Sequence, residues 1–248
     1  MSVGLPGTAD VSGPPALSPL PVGFAQREHS DDGAGQRRPV LVWRFAEPAR
    51  MISSAVLGGG LARGEWVVNA EVTHDYRRDD PAGHLGDIVA ELGLPVGAGA
   101  GLMTAADVRR MCGAIDGGVR CDATVGLAYP TWAAAPDGLA PLAARWRPGT
   151  VNLVCLLPVW LSDAALVNAV VTATEAKSQA LLEAGVPGTG TASDAIVVCC
   201  PDGPAERWPG VEYCGPRSPW GARLARAVHA AVAEGTARYA ARWSQPST

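Results

Sequence analysis

Aromatic side chains are scarce in this 248-residue sequence, at 6% with only two Phe and four Tyr. A core with few rings must be filled by aliphatic and small side chains, so close backbone packing is expected. Charge is also thin. Charged residues make 18% of the chain and the net charge is −4, a slightly acidic balance that gives no support to nucleic-acid binding. None of the six cysteines, Cys112, Cys121, Cys155, Cys199, Cys200 and Cys214, stands in a C-x-x-C pair. No basic segment followed by an apolar one opens the chain, so a secretory signal and disulfides are not expected. No apolar run of 18 residues is free of polar groups, which excludes a membrane-spanning helix. These absences point to a cytoplasmic protein without nucleic-acid or membrane partners; a homo-oligomer is left open.

Glycine and proline, by contrast, are plentiful at 30 and 21 residues. They concentrate first in residues 1–38, a Pro/Gly/Ser/Ala-rich stretch without apolar periodicity that reads as a disordered leader. Residues 39–245 then form a single domain. Val40–Phe45, Met51–Leu57 and Glu65–Val72 read as strands, the last two joined antiparallel through Gly58-Gly59-Gly60. Between Thr73 and His84 lie His74, Asp75, Asp79, Asp80 and His84. These are metal-ligand types, but their spacing fits no standard site, and Asp79-Asp80-Pro81 serves equally to start a helix over 82–92. Thr104 would cap a helix over 105–112. Strands are expected at 119–127, 150–157 and 195–200, a Pro-rich loop at 129–149, and a last helix at 221–243 with Leu224, Val228, Ala231 and Val232 as its apolar stripe. Consecutive strands at the start argue for an α+β layered domain with a mixed, largely antiparallel sheet around a long central buried helix. A doubly wound α/β sheet is the second choice.

That long helix spans 161–184, capped by Ser162 or Asp163 and ended by Gly185. Asp163 to Thr174 contains one charge, so most of the helix is expected to be buried. Asn168, Thr172, Glu175 and Gln179 are spaced 4, 3 and 4 apart and share one stripe. On a buried helix such a stripe is either an internally satisfied network or a pocket lining. The helix runs into Pro187-Gly188-Thr189-Gly190-Thr191-Ala192-Ser193-Asp194, with three hydroxyls, a carboxylate and two glycines that admit a ligand to the backbone. The order helix–loop–strand is opposite to that of a phosphate-binding loop.

Gly149-Thr150-Val151-Asn152, the helix segment Leu161–Lys177 and the segment Gly188–Val198 together resemble the adenosylcobinamide amidohydrolase (CbiZ) family. So do Asn69-Ala70-Glu71-Val72, Met103-Thr104-Ala105-Ala106 and Ala123-Thr124-Val125-Gly126-Leu127. The resemblance covers about residues 40–243. It implies a salvage enzyme that hydrolyses the aminopropanol amide of adenosylcobinamide to give adenosylcobyric acid. No cofactor or metal of its own is implied, because the corrinoid is the substrate. Ala128 and Tyr129 depart from the family's pattern, as do Ala70, Glu71 and the run Thr73-His74-Asp75. Amide hydrolysis needs a nucleophile, a proton acceptor and a donor to the oxyanion. The expected catalytic residues are Glu175, Lys177 and Asp194, with Glu175 or Asp194 activating water. The alternative is a Thr189, Thr191 or Ser193 nucleophile with Lys177 as base. Substrate contacts are expected from Asn69, His74, Asp75, Asn168, Thr172, Thr189 and Thr191. Two other functions stay open: a non-catalytic corrinoid-binding protein, suggested by Ala128 and Tyr129, and a nucleotide-binding enzyme using the Gly-Thr loop.

Overall fold

A computed structural model describes residues 20–30, 36–136, 149–203 and 210–243. The Pro-rich stretch 137–148 and most of the expected leader lie outside these. Among the described residues eight strands form one mixed sheet. They are β1 (Val22–Ser30), β2 (Arg37–Ser53), β3 (Gly60–Glu71), β4 (Gly99–Thr104), β5 (Cys112–Asp116), β6 (Val119–Val125), β7 (Val151–Leu156) and β8 (Ala195–Pro201). Three α-helices accompany them: α1 (Pro81–Glu91), α2 (Asp163–Glu183) and α3 (Pro219–Trp243). The strand order is β4-β3-β2-β8-β7-β6-β5, with β1 paired to β2. Only β3–β4 and β7–β8 are parallel. The domain is α+β and layered, with a largely antiparallel sheet.

The period-2 alternation of the strands sorts the core into layers. On β7 and β8, Val151, Leu153, Cys155, Ile196, Val198 and Cys200 pack against α2 and α3. Their alternate neighbours Val154, Leu156, Val197 and Cys199 share a cluster with Leu41, Trp43, Val67 and Leu102 from β2, β3 and β4. Strands far apart in the sheet order therefore face each other. The sheet folds over at β2, whose pairing with β3 shifts register between Arg44 and Ala49. Val40, Val42, Trp66 and Val68 turn outward onto α1. The stack is α2/α3, β5–β8, β1–β4, α1. The Trp43 indole N–H donates to Asp122 Oδ2 on β6 at 2.8 Å, tying the two sheet halves together inside.

Four expectations are corrected. Val22–Ser30 is a strand rather than part of a disordered leader, because β2 offers it a full antiparallel edge from Val22↔Phe45 to Ser30↔Arg37. The two strands expected at 40–45 and 51–57 are one strand with a bulge. The helix expected at 105–112 is a single 3-10 turn at Val108–Arg110, since Thr104 Oγ1 accepts from Ala106 N two residues on rather than capping a helix. Cys112–Asp116 instead pairs with β6 across Gly117-Gly118, both at positive φ (54° and 91°), the conformation of a two-residue hairpin turn. Finally, α2 is an outer-layer helix with one buried face. Val167, Val171 and Leu182 stand about half exposed on its other side, so the scarcity of charge reflects exposed aliphatic residues and not burial of most of the helix.

All six cysteines are free and buried. Burial pushes the Cys200 thiol up to about 11 and the Cys214 thiol up to about 12, so these two are inert core residues.

Candidate active site

Helix α2 forms where Ala and Leu recur and no Gly or Pro interrupts the run. Ser162 caps it, its hydroxyl accepting from Ala165 N at 3.2 Å. Its inner face presents Ala165, Ala169, Ala173, Ala176 and Ala180, so it lies close on the sheet. The small side chains leave room for one long one. Lys177 is 6% exposed, and its ammonium meets Asp194 Oδ2 in an ion pair. Asp194 sits just before β8 and accepts three further bonds: from Val151 N (2.9 Å) and Thr191 Oγ1 on Oδ1, and from Thr191 N (3.0 Å) on Oδ2. A carboxylate has about four lone-pair sites, and here each is met. Gly190 leaves the space this requires. A Cβ there would press on both Asp194 Oδ2 and Lys177 Nζ.

The loop around this pair is tied down along its length. Ser178 Oγ donates to Thr189 O (3.1 Å), and Thr189 Oγ1 accepts from Ala133 N (3.2 Å). Thr131 and Gly190 form a bridge. Ser193 Oγ and Thr150 Oγ1 are 2.8 Å apart. Thr150 begins the segment that leads into β7, and from there the polar seam continues between the sheet layers. Asn152 Nδ2 donates to Asn69 Oδ1 (3.0 Å) and to Met103 O (3.1 Å), and Asn69 Nδ2 donates to Thr124 Oγ1 (2.9 Å).

Each of the six sequence segments that carry the family resemblance therefore contributes to one seam: Asn69, Met103, Thr124, Asn152, Lys177 and Asp194. Chain neighbours of three seam residues, Glu71, Ala105 and Val125, line a cavity of about 430 Å³ together with His74, Arg109 and Arg238. Glu71 is two residues beyond Asn69 on the same strand face. Its Oε2 accepts from Val108 N (3.1 Å), and its Oε1 lies 3.5 Å from Arg38. Burial raises its carboxyl above the ordinary range, more than the Val108 N–H lowers it; Asp107 adds to the rise, and Arg109 and Arg38 oppose it.

The sequence-expected residues divide sharply. Lys177, Asp194, Thr191 and Asn69 belong to the seam, and Thr189 anchors its loop. Asn168 and Thr172 instead tie α2 to the segment before α3. Asn168 Oδ1 accepts from Cys214 N (3.1 Å), and Thr172 Oγ1 donates to Cys214 O (2.9 Å). Half of the polar stripe is thus an internally satisfied network. Glu175 is exposed on the outer face, about 200° around the helix from Lys177, so the expected buried carboxylate there is not found. His74 is exposed at the rim of the cavity, and Asp75 is fully exposed, its carboxyl lowered chiefly by the Thr73 hydroxyl. Asp80 caps α1 by accepting from Gly83 N (2.8 Å), and His84 stacks on Tyr76 at 5.5 Å between rings. The residues missed were Glu71, Thr124, Thr150, Asn152, Arg109 and Arg238. Glu71, Thr124, Thr150 and Asn152 stand inside the resemblance segments, and Asn69 and Glu71 at i and i+2 mark one strand face. Arg109 and Arg238 gave no signal of their own.

The family model described as adenosylcobinamide amidohydrolase matches residues 23–243. An adenosylcobinamide amidohydrolase of Halobacterium salinarum is 37% identical over 197 residues, 77% of this chain and 82% of the relative. One of Methanosarcina mazei is 29% identical over 180 residues, 71% and 84% of the two chains. Among solved structures, the L-aminopeptidase D-Ala-esterase/amidase of Ochrobactrum anthropi superposes with a TM-score of 0.34 at 13% identity, over 94% of this chain and 88% of that one. At that score the superposition lends nothing to the chemistry. The family match spans nearly all of the described domain, and the chain belongs to the adenosylcobinamide amidohydrolase family, hydrolases of amide bonds.

Proposed function

We propose that this protein hydrolyses the amide joining the aminopropanol arm to adenosylcobinamide and releases adenosylcobyric acid for corrinoid salvage. The observation that carries this reading is the Lys177–Asp194–Thr191 constellation at the end of the seam. Asp194 has no lone pair to spare for a water molecule, but it already holds the Thr191 hydroxyl proton. Thr191 Oγ1 attacks the amide carbonyl carbon as that proton passes to Asp194. Lys177 balances the carboxylate and holds the pair in place, a positioning role. The C–N bond of the tetrahedral intermediate breaks, the leaving amine takes up the proton, and water hydrolyses the resulting Thr191 ester to the carboxylate. Glu175, on the outer face, takes no part. The test is incubation of the pure protein with adenosylcobinamide, followed by chromatography of the corrinoids. Adenosylcobyric acid appearing at the rate of adenosylcobinamide loss supports the reading. Tight binding without product makes the protein a corrinoid carrier.

A further inference from the structure

The cavity beside the seam has a composition that selects its ligand. Its lining includes the small or aliphatic residues Ala105, Ala106, Val125, Gly126 and Gly235. The lining also carries both signs of charge: Glu71 and Asp107, and Arg109, Arg110 and Arg238. Asp107 is already engaged, accepting from Arg109 N (3.1 Å). Glu71 has a single backbone donor and an arginine at 3.5 Å, and its side chain is only 13% exposed. Arg238 gives its Nε–H to Glu234 (2.7 Å), one of the five N–H groups of a guanidinium.

A carboxylate ligand would suit the arginines and be repelled by Glu71. An ammonium would suit Glu71 and be repelled by the arginines. A primary carboxamide offers an N–H to the one and a carbonyl oxygen to the others without a charge penalty. The volume of about 430 Å³ takes an edge of a large ligand rather than the whole of it.

We infer that this cavity seats the carboxamide-bearing edge of the corrinoid ring, with Glu71 accepting from a primary amide N–H and Arg109 and Arg238 donating to amide carbonyls. The inference rests on the functional reading above and adds where the substrate's body is held.

The experiment measures equilibrium binding of adenosylcobyric acid, which keeps the amide edge and has no aminopropanol amide to cleave. Wild type, Glu71→Leu and Glu71→Gln are compared, each checked for folding by its thermal transition. A second probe is a corrinoid whose edge amides have been hydrolysed to carboxylates. Glu71→Leu should weaken binding of adenosylcobyric acid at least about tenfold, the size of one charge-assisted hydrogen bond. The carboxylate probe should bind wild type worse than adenosylcobyric acid, and Glu71→Gln should narrow that gap. Folded Glu71 variants that bind both probes as wild type does overturn the seat while leaving the hydrolase reading intact. Wild type that binds neither adenosylcobyric acid nor adenosylcobinamide removes the functional reading and this inference together.

Discussion

Two carboxylates, Asp194 and Glu71, lie on either side of the same polar seam and are treated in opposite ways. Asp194 receives four donors, one of them a buried cation. Glu71 is desolvated, accepts one backbone N–H, and is pushed toward its neutral form. The first arrangement fixes geometry: the charge is met from within, and the loop, the β7 start and α2 are locked to one another through it. The second places a desolvated carboxylate, met by the Val108 N–H and by Arg38 at 3.5 Å, at the lining of the cavity. The contrast also separates Lys177 from Glu175, two residues apart on one helix yet on opposite faces.

Breaking the first region should have the largest effect. Lys177→Met leaves the Asp194 charge buried and uncompensated, which costs about 3–5 kcal/mol in urea unfolding. The double variant Lys177→Met/Asp194→Asn should recover much of that stability while remaining inactive. Recovery of activity in the double variant would mean that the ion pair is only a scaffold.

Gly190→Ala tests the same region sterically. Its Cβ has no room beside Asp194 and Lys177, so a loss of about 1–3 kcal/mol is expected, together with slower turnover. An alanine variant as stable as wild type would show that the pair can shift aside.

Glu71 sharpens the contrast through pH. Its folded pKa is raised above the ordinary 4.5, so the folded state holds this proton more tightly than the unfolded state does. Its contribution is therefore most favourable at low pH and declines as pH rises from the unfolded pKa through the raised folded one. Glu71→Gln should then raise the melting temperature, by an increment that grows across that window and levels off above it. An increment that is the same at pH 4 and pH 8 would contradict the desolvation account.

How much of this was legible in the sequence follows from what each signal reports. The Lys177–Asp194 pair was readable as two residue types flanking a helix and a hydroxyl loop, and the resemblance segments proved to be those that meet in space. Glu175 lies on the outer face because scarcity of charge does not by itself bury most of a helix. The exposed Val167, Val171 and Leu182 show that apolar residues on an outer helix hide its true polar face. The missed strand Cys112–Asp116 did have a signal, Asp116-Gly117-Gly118, a hairpin turn outweighed by an apparent helix cap at Thr104. The fold-over of the sheet at β2 had none, since a bulge between Arg44 and Ala49 is set by tertiary pairing. With it went the knowledge that β3 and β4 lie against β6 and β7, and that Arg109 and Arg238 share a cavity with Glu71.

The smallest effect is expected at Glu175. Glu175→Gln is a surface substitution, and its rate and stability should stay within about twofold and about 0.5 kcal/mol of wild type. A large loss of rate would return the catalytic base to the outer face of α2.

The most direct test of the central claim is the initial rate of adenosylcobyric acid formation by Thr191→Val and Thr191→Ser beside wild type. Valine keeps the shape and removes the hydroxyl that Asp194 holds; serine keeps the hydroxyl. The expected result is a fall of at least about 10²-fold for valine, the lower size of a proton-transfer contribution, with serine retaining measurable turnover. Folded Thr191→Val that makes product at the wild-type rate would contradict the claim and remove the Thr191–Asp194–Lys177 constellation from the chemistry.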